Sequence, residues 1–180
     1  MTRLQKVSVL ADLAALLRDN GSWCGETHLQ KATYFLEELL GVPLDFEFII
    51  YKHGPFSFDL RDELTAMRAD GVLELQPHPA PYGPGLIATE SSQELRQRFP
   101  VTLHRYGKAV KFVAQELGAK GSTDLERLGT ALYVIRERPK ASVNERVARI
   151  IELKPHVTPE DARNAVEELD RIAARAPRHS

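Results

Sequence analysis

The chain has 180 residues, 24 Lys+Arg against 25 Asp+Glu, 43% hydrophobic residues and one cysteine. That length suits one domain, or a small domain with an appended helical lobe, and the composition excludes collagen-like, wholly disordered and membrane-spanning classes. One cysteine excludes an internal disulfide and the Cys-rich zinc folds. The net charge of −1 hides an asymmetry: residues 1–90 carry 7 Lys+Arg and 13 Asp+Glu, giving −6, and residues 91–180 carry 17 and 12, giving +5. Arg3 and Lys6 precede an apolar stretch, but Asp12 interrupts it and Arg18-Asp19 follow without a small-residue cleavage pattern, so no leader is expected. A cytoplasmic protein is the plain reading.

Val9, Leu10, Leu13, Leu16 and Leu17 make one apolar stripe, predicting a first helix that Asn20-Gly21 stops. A second helix is predicted from about Thr27 to Leu40, ended by Gly41-Val42-Pro43. Leu44, Phe46 and Phe48 then alternate with Asp45 and Glu47, the pattern of a half-buried strand reaching Tyr51. His53-Gly54-Pro55 predicts a turn. Ser57 predicts the cap of a third helix, Phe58 to Ala69, with Leu60, Leu64 and Met67 inward. Val72–Gln76 and Leu86–Thr89 read as two strands around a stiff loop holding four prolines. This order is that of a winged helix with the proline loop as its wing.

Residues 91–180 read as helix throughout. Ser91-x-x-Glu94, Thr123-x-x-Glu126 and Ser142-x-x-Glu145 have the capping-box pattern, and Thr158-Pro159-Glu160-Asp161 combines a cap, a first-turn proline and two carboxylates. Apolar stripes at 103–117, 125–135, 143–151 and 162–172 predict four amphipathic helices, with a frayed tail from Ala174 to Ser180. The expected fold is therefore mainly α (α+β): a winged-helix-like half, residues 1–90, with a small β-wing, and a helical lobe, residues 91–180, packed with it as one unit.

Few residues suggest reaction chemistry. Cys24 has His28 four residues on, but a small semi-buried thiol in an interhelix turn explains it as well. His28, His53, His78, His104, His156 and His179 include no i, i+4 pair, so no metal is expected. Tyr82-Gly83-Pro84-Gly85 lacks the Lys and Ser/Thr of a phosphate loop, and no Gly-rich phosphate loop is expected elsewhere. Glu37-Glu38, Asp62-Glu63 and Glu167-Glu168 are sequence neighbours that do not face each other on a helix. Neither catalysis nor a cofactor is expected. The informative segment is Tyr51-Lys52-His53-Gly54-Pro55-Phe56-Ser57-Phe58. Phe56 and Phe58 bracket the cap, either both in the core or with one ring joining Tyr51, His53 or Tyr82 in an aromatic recognition surface beside the wing.

Three segments carry a resemblance: His28-Leu29-Gln30-Lys31-Ala32-Thr33-Tyr34-Phe35, then Tyr51 through Ser57, then the helix running to Asp70-Gly71-Val72-Leu73. They resemble the YwgA-like bacterial proteins and, more distantly, the SocA-like antitoxins, also called the Panacea domain. The similarity covers about residues 27–76 and continues more weakly in Leu125-Glu126 through Tyr133 and in Leu153 through Glu160. It implies a winged-helix-like, α-rich fold without known catalysis. In the antitoxin branch it also implies a role in binding and neutralising a toxin protein.

Charge weighs the protein reading against DNA. The third helix carries Arg61 and Arg68 against Asp59, Asp62, Glu63 and Asp70, and the proline loop from Pro77 to Gly85 has no Lys or Arg. Phosphate contacts need cations, so standard winged-helix docking is unfavourable. Basic residues gather later: Arg105, Lys108 and Lys111 on one helix, and Arg136, Arg138, Lys140, Arg146 and Arg149 about a helix junction. The first expectation is a non-catalytic, protein-binding regulatory module of antitoxin or accessory type, acting through Tyr51, His53, Phe56, Phe58 and Tyr82. The alternative is a DNA-binding transcriptional regulator using Arg105, Lys108, Lys111, Arg136, Arg138 and Lys140, possible also as a homodimer. A hydrolase using Cys24 or scattered histidines ranks third.

Overall fold

Eight helices and two short β-hairpins follow one another through residues 1–177, the part of the chain that the computed structural model describes. Helix α1 (Arg3–Asp19) starts in a capping box that the sequence reading passed over. The Thr2 hydroxyl accepts from the Gln5 amide, and the Gln5 side chain accepts from the Thr2 amide. Its Val9, Leu10, Leu13 and Leu17 side chains are fully buried. After Gly21, at φ +97°, the chain runs briefly alongside a later strand: the Leu86 amide donates to the Cys24 carbonyl at 2.8 Å, and Gly25 bridges Gly85. A Cβ on Gly85 would lie 2.2 Å from the Trp23 carbonyl oxygen, so this approach requires glycine.

Helix α2 (Glu26–Glu38) follows, and then the prediction of a strand from Leu44 is only partly met. Strand β1 is Ile49–Tyr51, paired antiparallel with β2 (Gly54–Phe56) so that Ile49 faces Phe56 and Tyr51 faces Gly54. Residues 44–48 keep the alternation, with Leu44 buried and Asp45 and Glu47 exposed, but form no ladder. Asp45 sits at φ +58°, and the Phe46 amide donates to the Glu37 carboxylate instead of to a strand. The turn is Lys52-His53, one residue earlier than expected, because Gly54 and Pro55 belong to the strand.

Helix α3 (Phe58–Ala69) is capped by Ser57, as the sequence predicts. Strands β3 (Leu73–Gln76) and β4 (Gly85–Ala88) flank the proline loop. Helix α4 (Glu90–Arg98) is capped by Thr89 rather than Ser91; the Thr89 hydroxyl accepts from the Ser92 amide and donates to the Gly71 carbonyl, which anchors the helix start to the end of α3. Phe99 at φ −122°, ψ 50° breaks the helix before Pro100 begins α5 (Pro100–Leu117). Helix α6 (Ser122–Glu137) is capped by Gly121, so the expected Thr123 box is not formed. Helices α7 (Val143–Leu153) and α8 (Pro159–Arg175) have the expected Ser142 and Thr158 caps. The tail expected to fray from Ala174 is still helical at Ala174 and Arg175; the rest of that expectation, Arg178 to Ser180 with His179, lies outside the described residues.

Helix α1 lies along α5, α2 packs on α5 and α6, and α6 and α7 pack on α8. One apolar core runs through them all, from Leu13 and Leu36 to Val113, Leu128 and Val166. No helix among the described residues is long and apolar enough to cross a membrane.

Candidate functional site

The β1–β2 hairpin is too short to hold itself in water, and four side chains from elsewhere in the chain hold it. Gln30 on α2 makes two hydrogen bonds with Ser57: its amide nitrogen donates to the Ser57 carbonyl at 2.8 Å, and its oxygen accepts the Ser57 amide at 2.9 Å. The next residue, Lys31, is 1% exposed and donates to the Pro55 carbonyl at 2.8 Å. From the far end of the chain, Lys154 donates to the carbonyls of Tyr51 (2.6 Å) and Lys52 (2.8 Å). Glu126 on α6 lies 3.4 Å from the Lys154 ammonium and 3.2 Å from His156 Nε2, with the His53 ring 3.9 Å from its other oxygen. Burial pushes the Lys31 ammonium down to about 8, with Lys154 pushing the same way and Glu126 opposing.

Gln30 and Lys31 lie in the first resemblance segment, Tyr51 to Ser57 are the second, and Glu126, Lys154 and His156 lie in the two weaker ones; they meet around one hairpin. Their chemistry satisfies backbone: the carbonyls of Tyr51, Lys52, Pro55 and Ser57 and the Ser57 amide each receive a side-chain partner. Backbone also closes in on the turn. A Cβ on Gly54, at φ +86°, would lie 3.2 Å from the Glu126 carbonyl oxygen.

The hairpin presents aromatic rings outward. Tyr51 and Phe58 are 52% and 41% exposed, Phe56 is half-buried, and their centroids are 5.1–5.7 Å apart in a closed trio. The Arg61 guanidinium caps Phe58 at 5.0 Å, and Ile49 extends the patch beside Phe56. His53 is exposed on the adjoining turn. Tyr82 is not part of this surface. It packs instead against Trp23 (4.9 Å) and His78 (5.8 Å) at the proline loop.

The basic residues also divide. Arg136 pairs with Glu38 at 2.8 Å, Arg146 with Asp170, and Arg149 with Glu137 and Glu152, while Arg138 lies 3.8 Å from Glu137. Arg105, Lys108 and Lys111 form an exposed row on α5 without a carboxylate in ion-pair range among the described residues, and Lys140 is likewise unpaired.

Cys24 and His28 do not form a reactive pair. The thiol is fully buried, which raises it to about 12, and both His28 nitrogens are engaged, Nδ1 with the Ser22 hydroxyl at 2.8 Å and Nε2 with the Leu117 carbonyl at 2.9 Å. Among the described residues no group of three or more His, Cys, Asp or Glu is placed to hold a metal ion. The sequence reading passed over Trp23 and the turn Gly118-Ala119-Lys120-Gly121-Ser122. Its glycines, lysine and serine ahead of a helical stripe were the signal available.

Compared with models of known protein families the chain matches none, and compared with curated proteins it again matches none.

Proposed function

We propose that the chain is a non-catalytic, protein-binding regulatory module of the antitoxin or accessory type, acting in the cytoplasm, and that the Tyr51, Phe56 and Phe58 patch is its contact surface. The observation that carries this reading is the rigid display of the patch. Two buried or near-buried lysines and a buried glutamine serve a hairpin of six paired residues whose outward side is aromatic. Burying ammonium groups costs free energy, and that cost suits a surface whose shape must persist. Aromatic anchors ringed by polar groups (here Arg61 and His53) are the usual centres of protein interfaces. The likeness to YwgA-like and SocA-like proteins supports the same reading. The winged-helix description of residues 1–90 is supported by the order of elements and by the Gly25–Gly85 bridge, which sets a third extended segment beside β4.

The alternative, a DNA-binding regulator, is favoured by one observation, the unpaired row Arg105, Lys108 and Lys111. The acidic α3 and cation-free proline loop disfavour docking in the usual winged-helix manner, although Arg3 offsets Glu63 and Asp70.

A photo-crosslinking amino acid placed at position 51 in cells tests the first reading, with position 101 as the exposed control. The expected result is one protein adduct specific to position 51, abolished by Phe58→Asp. If position 51 gives none, and duplex DNA binds with a steep loss between about 50 and about 200 mM salt that requires Arg105, Lys108 and Lys111, the alternative replaces it.

A further inference from the structure

A cavity of about 520 Å³ opens between the α1–α2 turn, the outer face of α3, the proline loop and the α5–α6 turn. That volume lies within the range of ligand sites, roughly 300–1,000 Å³. Its walls are of two kinds. Trp23 and Tyr82, packed on each other at 4.9 Å and tilted 59°, supply aromatic lining, and Leu64 and Leu125 apolar lining. Arg61, Arg68 and Lys120 supply cations, against Glu26 as the one acidic lining residue. Arg61 is shared with Asp62 and Lys120 with Glu168, but Arg68 has no carboxylate partner among the described residues. Next to Lys120, Gly121 caps α6 without a side chain, and Ser122 lines the same cavity.

We propose that this cavity binds a mononucleotide, its base against Trp23 and Tyr82 and its phosphate toward Arg68 and the Lys120-Gly121-Ser122 turn. The two kinds of wall select against simpler occupants. A neutral apolar ligand would desolvate the Arg68 charge without an anion to face it, and inorganic phosphate would leave both rings unused. A base on a phosphorylated sugar uses both, and Glu26 supplies an acceptor suited to a ribose hydroxyl. The start of α6 contributes amide donors to the anionic end but does not make the site alone. This proposal does not rest on the hairpin reading: the two surfaces share α3 and Arg61, but Arg68 and Tyr82 belong to the cavity alone and Tyr51 to the patch alone, so different variants test them.

Trp23 is the one tryptophan of the chain, so its emission reports this cavity directly. AMP and UMP titrated into the full chain should change that emission saturably, half-maximal below about 1 mM, and raise the melting temperature. Adenosine and inorganic phosphate should each act at least ~10-fold more weakly, since each fills one kind of wall. Arg68→Ala and Tyr82→Ala alter exposed side chains and should weaken AMP binding ~10-fold or more at unchanged folding. The proposal is overturned if neither nucleotide moves emission or melting at several millimolar, if phosphate alone acts as strongly as AMP, or if Arg68→Ala binds AMP undiminished.

Discussion

His28 joins α2 to the end of α5 as a neutral imidazole. Its Nε2 donates to the Leu117 carbonyl and its Nδ1 accepts from Ser22, whose oxygen in turn accepts the Cys24 amide. Burial lowers its ionisation to about 4 from the ordinary 6.5, the Leu117 carbonyl opposing only in part. Between those values the unfolded chain binds a proton that the native one does not. The stabilisation is therefore complete above pH 6.5 and is lost as the pH falls toward 4, by at most about 3 kcal/mol. Glu37 runs the other way, since burial raises its carboxyl to about 7, so the His28 contribution is read as a difference. Urea unfolding of the wild type and of His28→Gln should show a stability gap that narrows from neutral pH to pH ~4; a gap constant with pH would refute a buried neutral imidazole. At this scale the sequence was a partial guide. It placed Cys24 and His28 near one another, but the Leu117 carbonyl that holds His28 Nε2 lies 89 residues away and leaves no local trace.

Elements that could be read from period and caps were read well: α1 and α3 end next to Asn20-Gly21 and Asp70-Gly71, and α7 and α8 begin at Ser142 and Thr158, because caps and stripes are local chemistry. The β1–β2 hairpin was not, because its stability comes from side chains on α2, α6 and the residue following α7. Glycines show the same split between local propensity and distant packing. Gly107 and Gly129 both lie within helices, where alanine is intrinsically better by up to ~1 kcal/mol. A Cβ at Gly107 meets nothing within 4 Å, whereas one at Gly129 would lie 3.1 Å from Pro55 Cδ and 3.4 Å from the Lys31 stem. Gly107→Ala should therefore stabilise by about 0.5–1 kcal/mol and Gly129→Ala should destabilise by about 1 kcal/mol or more in denaturant unfolding. Equal effects would mean that α6 does not press on the hairpin. Lys154→Met strips two hairpin carbonyls of their donor and removes the ammonium 3.4 Å from the Glu126 carboxylate, so it should cost about 2–4 kcal/mol. Amide exchange over residues 49–56 should quicken more than in α3, which does not depend on that ammonium.

The opposite charges of the two halves meet across the molecule at only a few points, such as Arg96 with Asp12 and Arg136 with Glu38. Partly exposed pairs of this kind contribute roughly 0–1 kcal/mol each, too little to hold two halves together. The apolar contact of α1 with α5 and of α2 with α5 and α6 is the stronger bond, and it predicts that the halves unfold together. Leu169 on α8 tests this, because it is 1% exposed and its helix packs on α6 and α7 rather than on the first half. Leu169→Ala leaves a cavity worth about 2–5 kcal/mol, or some ~5–15 °C in melting temperature for a chain of this size. Trp23, in the α1–α2 turn, and far-UV circular dichroism, which averages all helices, then report the same or different transitions. Cooperative halves require both curves to shift together by that full amount. A Trp23 transition that stays in place while the dichroism moves would show the first half folding by itself, with the helical lobe as a separate unit joined to it.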